Sequence, residues 1–121
     1  MTLNEYQKRA MATCMKSCGN YSYMMGNLIA EVGELSGKIA KAQRKGLLTF
    51  EKDGQPAWNG SLADYQDFNI ELAKEAGDIL WQLSGLCEVM GWDLEVIAQM
   101  NLDKLASRQR RGKIDGEGDN R

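Results

Sequence analysis

Residues Leu72–Ile79 read L-A-K-E-A-G-D-I, and the same pattern stands upstream at Leu28–Leu35, L-I-A-E-V-G-E-L. Both place an aliphatic, two variable residues, Glu, a small or aliphatic residue, Gly, a carboxylate and an aliphatic in that order. Each copy thus carries two acids three positions apart, Glu31 with Glu34 and Glu75 with Asp78. On an α-helix that spacing brings both side chains to one face. Whether the two pairs meet decides what the chain can do.

Apolar residues around both copies recur at three- and four-residue spacing, which predicts amphipathic helices. Working outward, four helices are predicted: about Leu3–Cys18 with Thr2 or Asn4 as cap, Met24–Lys45, Tyr65 or Phe68 to Met90, and Leu94–Gln109 with Asp93 as cap. Expected inward residues are Met25, Leu28, Val32, Leu35 and Ile39 on the second helix, and Leu72, Ala76, Ile79, Leu80, Leu83, Leu86, Cys87 and Met90 on the third. On the fourth they are Leu94, Ala98, Leu102 and Leu105. The fold class is all-α, an antiparallel bundle, with residues 1–111 as a single domain.

Two segments break the pattern. Residues 46–67 hold the Asp53-Gly54 turn signal and the only proline, Pro56, and read as a small hairpin or an irregular loop. Roughly 20 residues is long for a loop in a compact domain, so a functional or oligomer-contacting insert is expected beside the plainer reading of a solvated excursion. Residues 112–121 are glycine-rich and charged, a composition that by itself reads as a disordered tail.

Composition narrows the chemistry. A formal net charge of −2 gives no electrostatic case for nucleic acid or an anionic membrane. No apolar run approaches the roughly 20 residues that span a bilayer, and the N-terminus has no signal-peptide pattern, so a cytoplasmic protein is expected. Cys14, Cys18 and Cys87 form no C-x-x-C and read as reduced, structural thiols. The chain contains no histidine, which removes Ser-His-Asp and Cys-His catalysis, most zinc chemistry and Glu-x-x-His di-iron sites. Carboxylates, lysine, arginine and a hard metal remain.

At about 100° per residue, Glu75 and Asp78 fall roughly 60° and 120° from Leu72, just beyond the apolar arc, and Glu31 and Glu34 fall identically relative to Leu28. If the two helices pack antiparallel through those arcs, both acidic edges can flank one groove. Acids at such edges can equally be the solvated border of amphipathic helices. Four carboxylates within about 4–6 Å would repel by several kcal/mol at an effective dielectric near 20, so a cluster needs a cation. Oxygen ligands without histidine or thiolate favour Mg²⁺, with Mn²⁺ a substitute. Gly33 and Gly77 inside the motifs cost roughly 1 kcal/mol each against alanine, suggesting close helix approach or room for a ligand. A carboxylate-held Mg²⁺ most often serves a phosphate substrate, and Asn101, Lys104 and Arg108 share one side of the fourth helix, where they can serve a phosphate or simply suit a helix C-terminus.

The ordered set resembles MazG-like nucleotide pyrophosphohydrolases of the all-α NTP pyrophosphatase superfamily. It comprises Glu31-x-x-Glu34, Glu75-x-x-Asp78, then N-L-D-K-L-A-S-R and the terminal G-E-G-D-N-R, and it covers nearly the whole chain. The resemblance implies Mg²⁺-dependent hydrolysis of a nucleoside triphosphate to the monophosphate and pyrophosphate. It implies Glu31, Glu34, Glu75 and Asp78 as metal ligands, Glu34 and Glu75 as catalytic acids, and Asn101, Lys104 and Arg108 as triphosphate contacts. It also implies a homodimer or homotetramer completing the bundle, with Trp81 a candidate buried contact there. Trp58 or Tyr65 could stack on a base or pack within the insert. The link between the acid pairs is longer than usual for the family, the excess being residues 46–67. The alternative is a catalytically idle relative serving as a binding or regulatory module.

Overall fold

A computed structural model describes residues 1–121. Helix α1 spans Leu3–Met11 and opens on a capping box: the Thr2 hydroxyl accepts from Glu5 N at 3.0 Å, and Glu5 accepts from Thr2 N at 2.6 Å. It stops well short of Cys18. The Ala10 carbonyl is taken by Thr13 N, the Thr13 hydroxyl and the Trp81 indole N–H, while Cys14 N turns to Met11 O, so the i→i−4 ladder ends there.

Helix α2 spans Tyr21–Arg44, capped by Asn20, whose Oδ1 accepts from Tyr23 N at 2.9 Å. Gly46, at φ 71°, ends it, with Leu47 N closing on Ala42 O at 3.0 Å. The insert then folds as the hairpin: β1, Leu48–Phe50, pairs antiparallel with β2, Pro56–Trp58, Leu48 opposite Trp58. Gly54 supplies a φ of 84° in its turn, and Gln55 N donates to Asp53 Oδ1 at 3.0 Å. Helix α3, Leu62–Met90, begins earlier than the periodicity predicts, because Ser61 caps it by accepting from Asp64 N at 3.1 Å. Gly91, left-handed at φ 71°, stops it.

Helix α4, Leu94–Arg110, is capped from outside its own sequence. Asp93 makes no side-chain cap bond. Instead Leu94 N donates to Gln7 Oε1 at 2.7 Å and Glu95 N donates to Asn4 Oδ1 at 3.1 Å, both on α1. The buried Gln7 amide also donates to Glu88 Oε2 at 3.0 Å and Trp92 O at 2.9 Å, tying three helices at one residue.

Helices α2 and α3 form the main antiparallel pair. Met24 lies against Gly85, Asn27 bonds Gln82, Glu34 meets Glu75 and Lys38 reaches Glu71, so each step down α2 matches a step up α3. A Cβ at Gly85 would collide with the fully buried Met24 thioether, making Gly85 the glycine that permits close approach. Gly33 and Gly77 do not have that role, since both face open space.

Where α1 reaches α3, Trp81 donates to Ala10 O at 3.1 Å and Thr13 Oγ1 at 2.9 Å. Trp81 is thus engaged within its own chain. The α2–α3 contact runs closer to the acids than the predicted arcs. Glu31 and Lys38 are half-buried, whereas Val32, Ala76, Leu80 and Met90, predicted inward, face solvent, as do Leu102 and Leu105 on α4. Polar pairs occupy the seam and displace the apolar faces outward. No helix is long and apolar enough to cross a membrane.

The tail is folded back rather than loose. Arg121 donates to the carbonyls of Lys113, Ile114 and Gly118, and Arg111 donates to the Arg121 carbonyl at 2.6 Å.

Candidate metal centre between helices α2 and α3

Glu31 and Glu34 come from adjacent turns of α2, and Glu75 comes from the facing turn of α3. One carboxylate oxygen from each lies within 4.8 Å of the others. The antiparallel register thus brings the two motifs together across the helix seam, as equivalent edges on equivalent helices require. Asp78, one turn further along α3, stands outside that trio yet close enough for its charge to act on Glu34 and Tyr6.

Like charge governs the electrostatics. Glu31, followed by Glu75, pushes the Glu34 carboxyl above the usual range, and the Asp78 charge adds to the shift. Glu75 has one oxygen paired, Oε1 with Lys38 Nζ at 3.2 Å, while its buried Oε2 has no partner at all. Hydrogen bonding to Glu75 in turn holds the Lys38 ammonium above its ordinary value. Lys38 is the nearest thing to a counter-ion that the seam contains. A buried carboxylate oxygen left unpaired costs desolvation free energy that only a further donor or a cation can return. Three carboxylates with no nitrogen or sulfur donor fit a hard divalent ion such as Mg²⁺ or Mn²⁺.

Several neighbours of the acids went unassigned from sequence. Asn27 donates to Glu31 Oε1 at 3.0 Å and to Gln82 Oε1 at 2.8 Å, fixing Glu31 from one turn away. Gln82 is buried and donates to Met24 O at 3.4 Å. Tyr6 on α1 is kept protonated by burial, then by the Asp78 charge. The available signal was positional: Asn27 precedes Glu31, and Gln82 follows Asp78, by one helical turn on the same edges. Glu71 lies on that edge too, its carboxyl lowered chiefly by Lys74 at 2.8 Å and then by Lys38.

The predicted basic trio stands elsewhere. Asn101 is exposed, and no hydrogen bond or ion pair links Asn101, Lys104 or Arg108 to the acids. Lys104 Nζ and Arg108 Nη2 both engage Asp119 Oδ1 at 3.1 Å, and Arg108 Nη2 also donates to the Asp119 carbonyl at 3.1 Å. Arg108 is buried beneath the tail, with its Nε unpartnered. Within one chain no hydrogen bond or ion pair joins the cationic and anionic halves of the predicted site, and Asp119 of the tail engages Lys104 and Arg108.

A family model described as the MazG nucleotide pyrophosphohydrolase domain matches residues 20–112. The Gene 37 protein of Mycobacterium phage L5 is 35% identical over 100 residues, covering 83% of this chain and 75% of that protein. No solved structure matches.

Proposed function

The chain belongs to the MazG nucleotide pyrophosphohydrolase domain family, and on that premise we propose that it cleaves nucleoside triphosphates to the monophosphate and pyrophosphate. The observation that carries the reading is the trio Glu31, Glu34 and Glu75, gathered across the seam with one Glu75 oxygen buried and unpaired. These three, with Asp78 beside them, would hold Mg²⁺ or Mn²⁺. The ion supplies charge neutralisation and polarisation at the phosphates when bound.

The chain's own residues do the rest. Asn27 fixes Glu31, and Lys38, drawn from Glu75 Oε1 by the incoming phosphates, adds one ammonium to the phosphate field. Water adds at phosphorus, the anhydride bond between the α- and β-phosphates breaks, and pyrophosphate leaves. Glu34, whose carboxyl is held at a raised proton affinity by its neighbours, is suited to take the proton that water gives up. Lys104 and Arg108 exchange Asp119 for phosphate oxygens, and Asn101 donates to a further one. Their separation from the acids within one chain, and the exposed apolar side chains of Ile29, Val32, Val96, Met100 and Leu102, support assembly as a homodimer or homotetramer.

One contact favours a second reading. Lys38 already neutralises part of Glu75, as a permanent internal cation would in a catalytically idle helical module. A panel of NTPs and dNTPs with Mg²⁺, assayed for pyrophosphate release with Glu75→Gln as control, separates the two. Release of orthophosphate alone, or activity that survives the substitution, would sink the hydrolase.

A further inference from the structure

The hairpin insert closes one end of the α2–α3 groove and leaves a cavity of about 290 Å³ there. Leu47, Trp58 and Phe68 form its apolar lining, and Lys38, Lys41 and Lys45 reach it from α2. Its volume sits just below the roughly 300–1,000 Å³ of ligand pockets, enough for a flat ring and not for a whole nucleotide. Trp58 is fixed before any ligand arrives: it stacks on Phe68 at 5.0 Å between centroids and 27° between planes, with Tyr65 at 5.7 Å on a tilt.

Two further observations point to an occupant. Lys41 and Lys45 make no ion pair, although Asp67 and Glu71 also line the cavity. Lys38 belongs to both places, lining the cavity while bonding Glu75 of the acid trio. The C-terminal dipole of α2 accounts for lysines at its end. It does not account for the aromatic-walled space beside them.

Distance connects the two. From Glu34 to Ala42, which also lines the cavity, is eight residues of helix, about 12 Å along the axis. A nucleoside joined to phosphates at the acids spans such a gap. We propose that this cavity is the nucleoside subsite of the chain: the base lies against Trp58, Leu47 and Phe68, and Lys41 and Lys45 line the outer rim. The insert, which lengthens the link between the acid pairs, is thereby the part of the chain that selects the base. This assignment rests on the hydrolase reading for the position of the phosphates.

Metal-free binding of a nucleoside monophosphate panel, measured by calorimetry on the full chain, tests it beside triphosphate kinetics. Trp58→Leu should weaken binding of the preferred monophosphate about tenfold and raise KM for its triphosphate by a similar factor, with kcat nearly unchanged. Lys41→Met, at an exposed helix position that leaves the hairpin intact, should raise the same KM about threefold. Inhibition by inorganic tripolyphosphate, which has no base, should be the same in both variants as in the unsubstituted protein. Unchanged monophosphate affinity and KM in both variants, with pyrophosphate release still dependent on Glu75, would overturn the subsite and leave the hydrolase standing. Monophosphate binding that depends on Trp58 in a chain that releases no pyrophosphate would keep the subsite and overturn the hydrolase.

Discussion

Charge is concentrated in two regions of this molecule, and they are built in opposite ways. At the α2–α3 seam, Glu31, Glu34 and Glu75 bring like charges within 4.8 Å with a single lysine against them. Beneath the tail, Lys104 and Arg108 close on Asp119, opposite charges paired at 3.1 Å. The first arrangement is costly without something added; in the second a carboxylate of the chain already sits on the cations. Excess like charge that the fold assembles marks a place for a ligand, whereas paired charge holds a segment until a competing anion displaces it. The contrast makes each region predict a different response to substitution, metal and pH.

The largest effect is expected at the seam. Glu75→Gln should lower pyrophosphate release by at least about a hundredfold, a loss of metal-dependent charge stabilisation on the scale seen when one preorganised group is removed. Its melting temperature without metal should not fall, because the substitution relieves repulsion within the trio. A variant that melts lower and keeps activity would reverse the contrast. Next comes the ion. Mg²⁺ at ten times its Kd should stabilise the chain by about 1.4 kcal/mol, raising the melting temperature by roughly 5 °C. An identical melt with Mg²⁺ and with chelator would mean that the seam holds no ion and that Lys38 is its permanent partner.

Smaller effects belong to the tail. Asp119→Asn should leave the melting temperature nearly unchanged while speeding amide exchange across residues 112–121, since the clamp orders the tail and little else. Protection equal to that of the unsubstituted chain would show that Arg121 and Arg111 alone hold the segment. Acid should act in the same direction. The Asp119 carboxyl is held below its ordinary 3.8, first by the hydrogen bond from Lys104 and then by that from Arg108. A depressed folded-state pKa contributes stability above the unfolded value and loses it as pH falls through the folded value. Tail protection should therefore persist down to about pH 4 and disappear below it, as hydrogen exchange against pH would reveal.

Most of the acid seam was legible because it depends on local rules. Two copies of one motif at helical spacing put Glu31, Glu34, Glu75 and Asp78 on edges that share a groove if the helices pair antiparallel, and the structure gathers the first three. What was illegible depends on partners distant in sequence. Asn27 and Gln82 look like surface residues on a helical wheel, yet they form the seam by bonding each other. The early end of α1 follows from Trp81 claiming the Ala10 carbonyl. The tail's glycine and charge read as disorder because composition does not register arginines that can bind its carbonyls. The four helices were visible from periodicity, but which faces would meet was not, since polar pairs take the centre of the α2–α3 contact.

The external cap on α4 has a consequence for how the chain comes into being. Leu94 and Gln7 are 87 positions apart, and the first amides of the last helix find their acceptors only in the first helix. As the chain is synthesised, α1 emerges well before α4 and waits for partners that lie 87 positions later. Closing so wide a loop costs entropy that rises only slowly with its length, but the gain arrives only after nearly everything else is in place. Helices α1 and α4 thus form one cooperative unit. A short deletion at the start, far from α4 in sequence, should fray the last helix first.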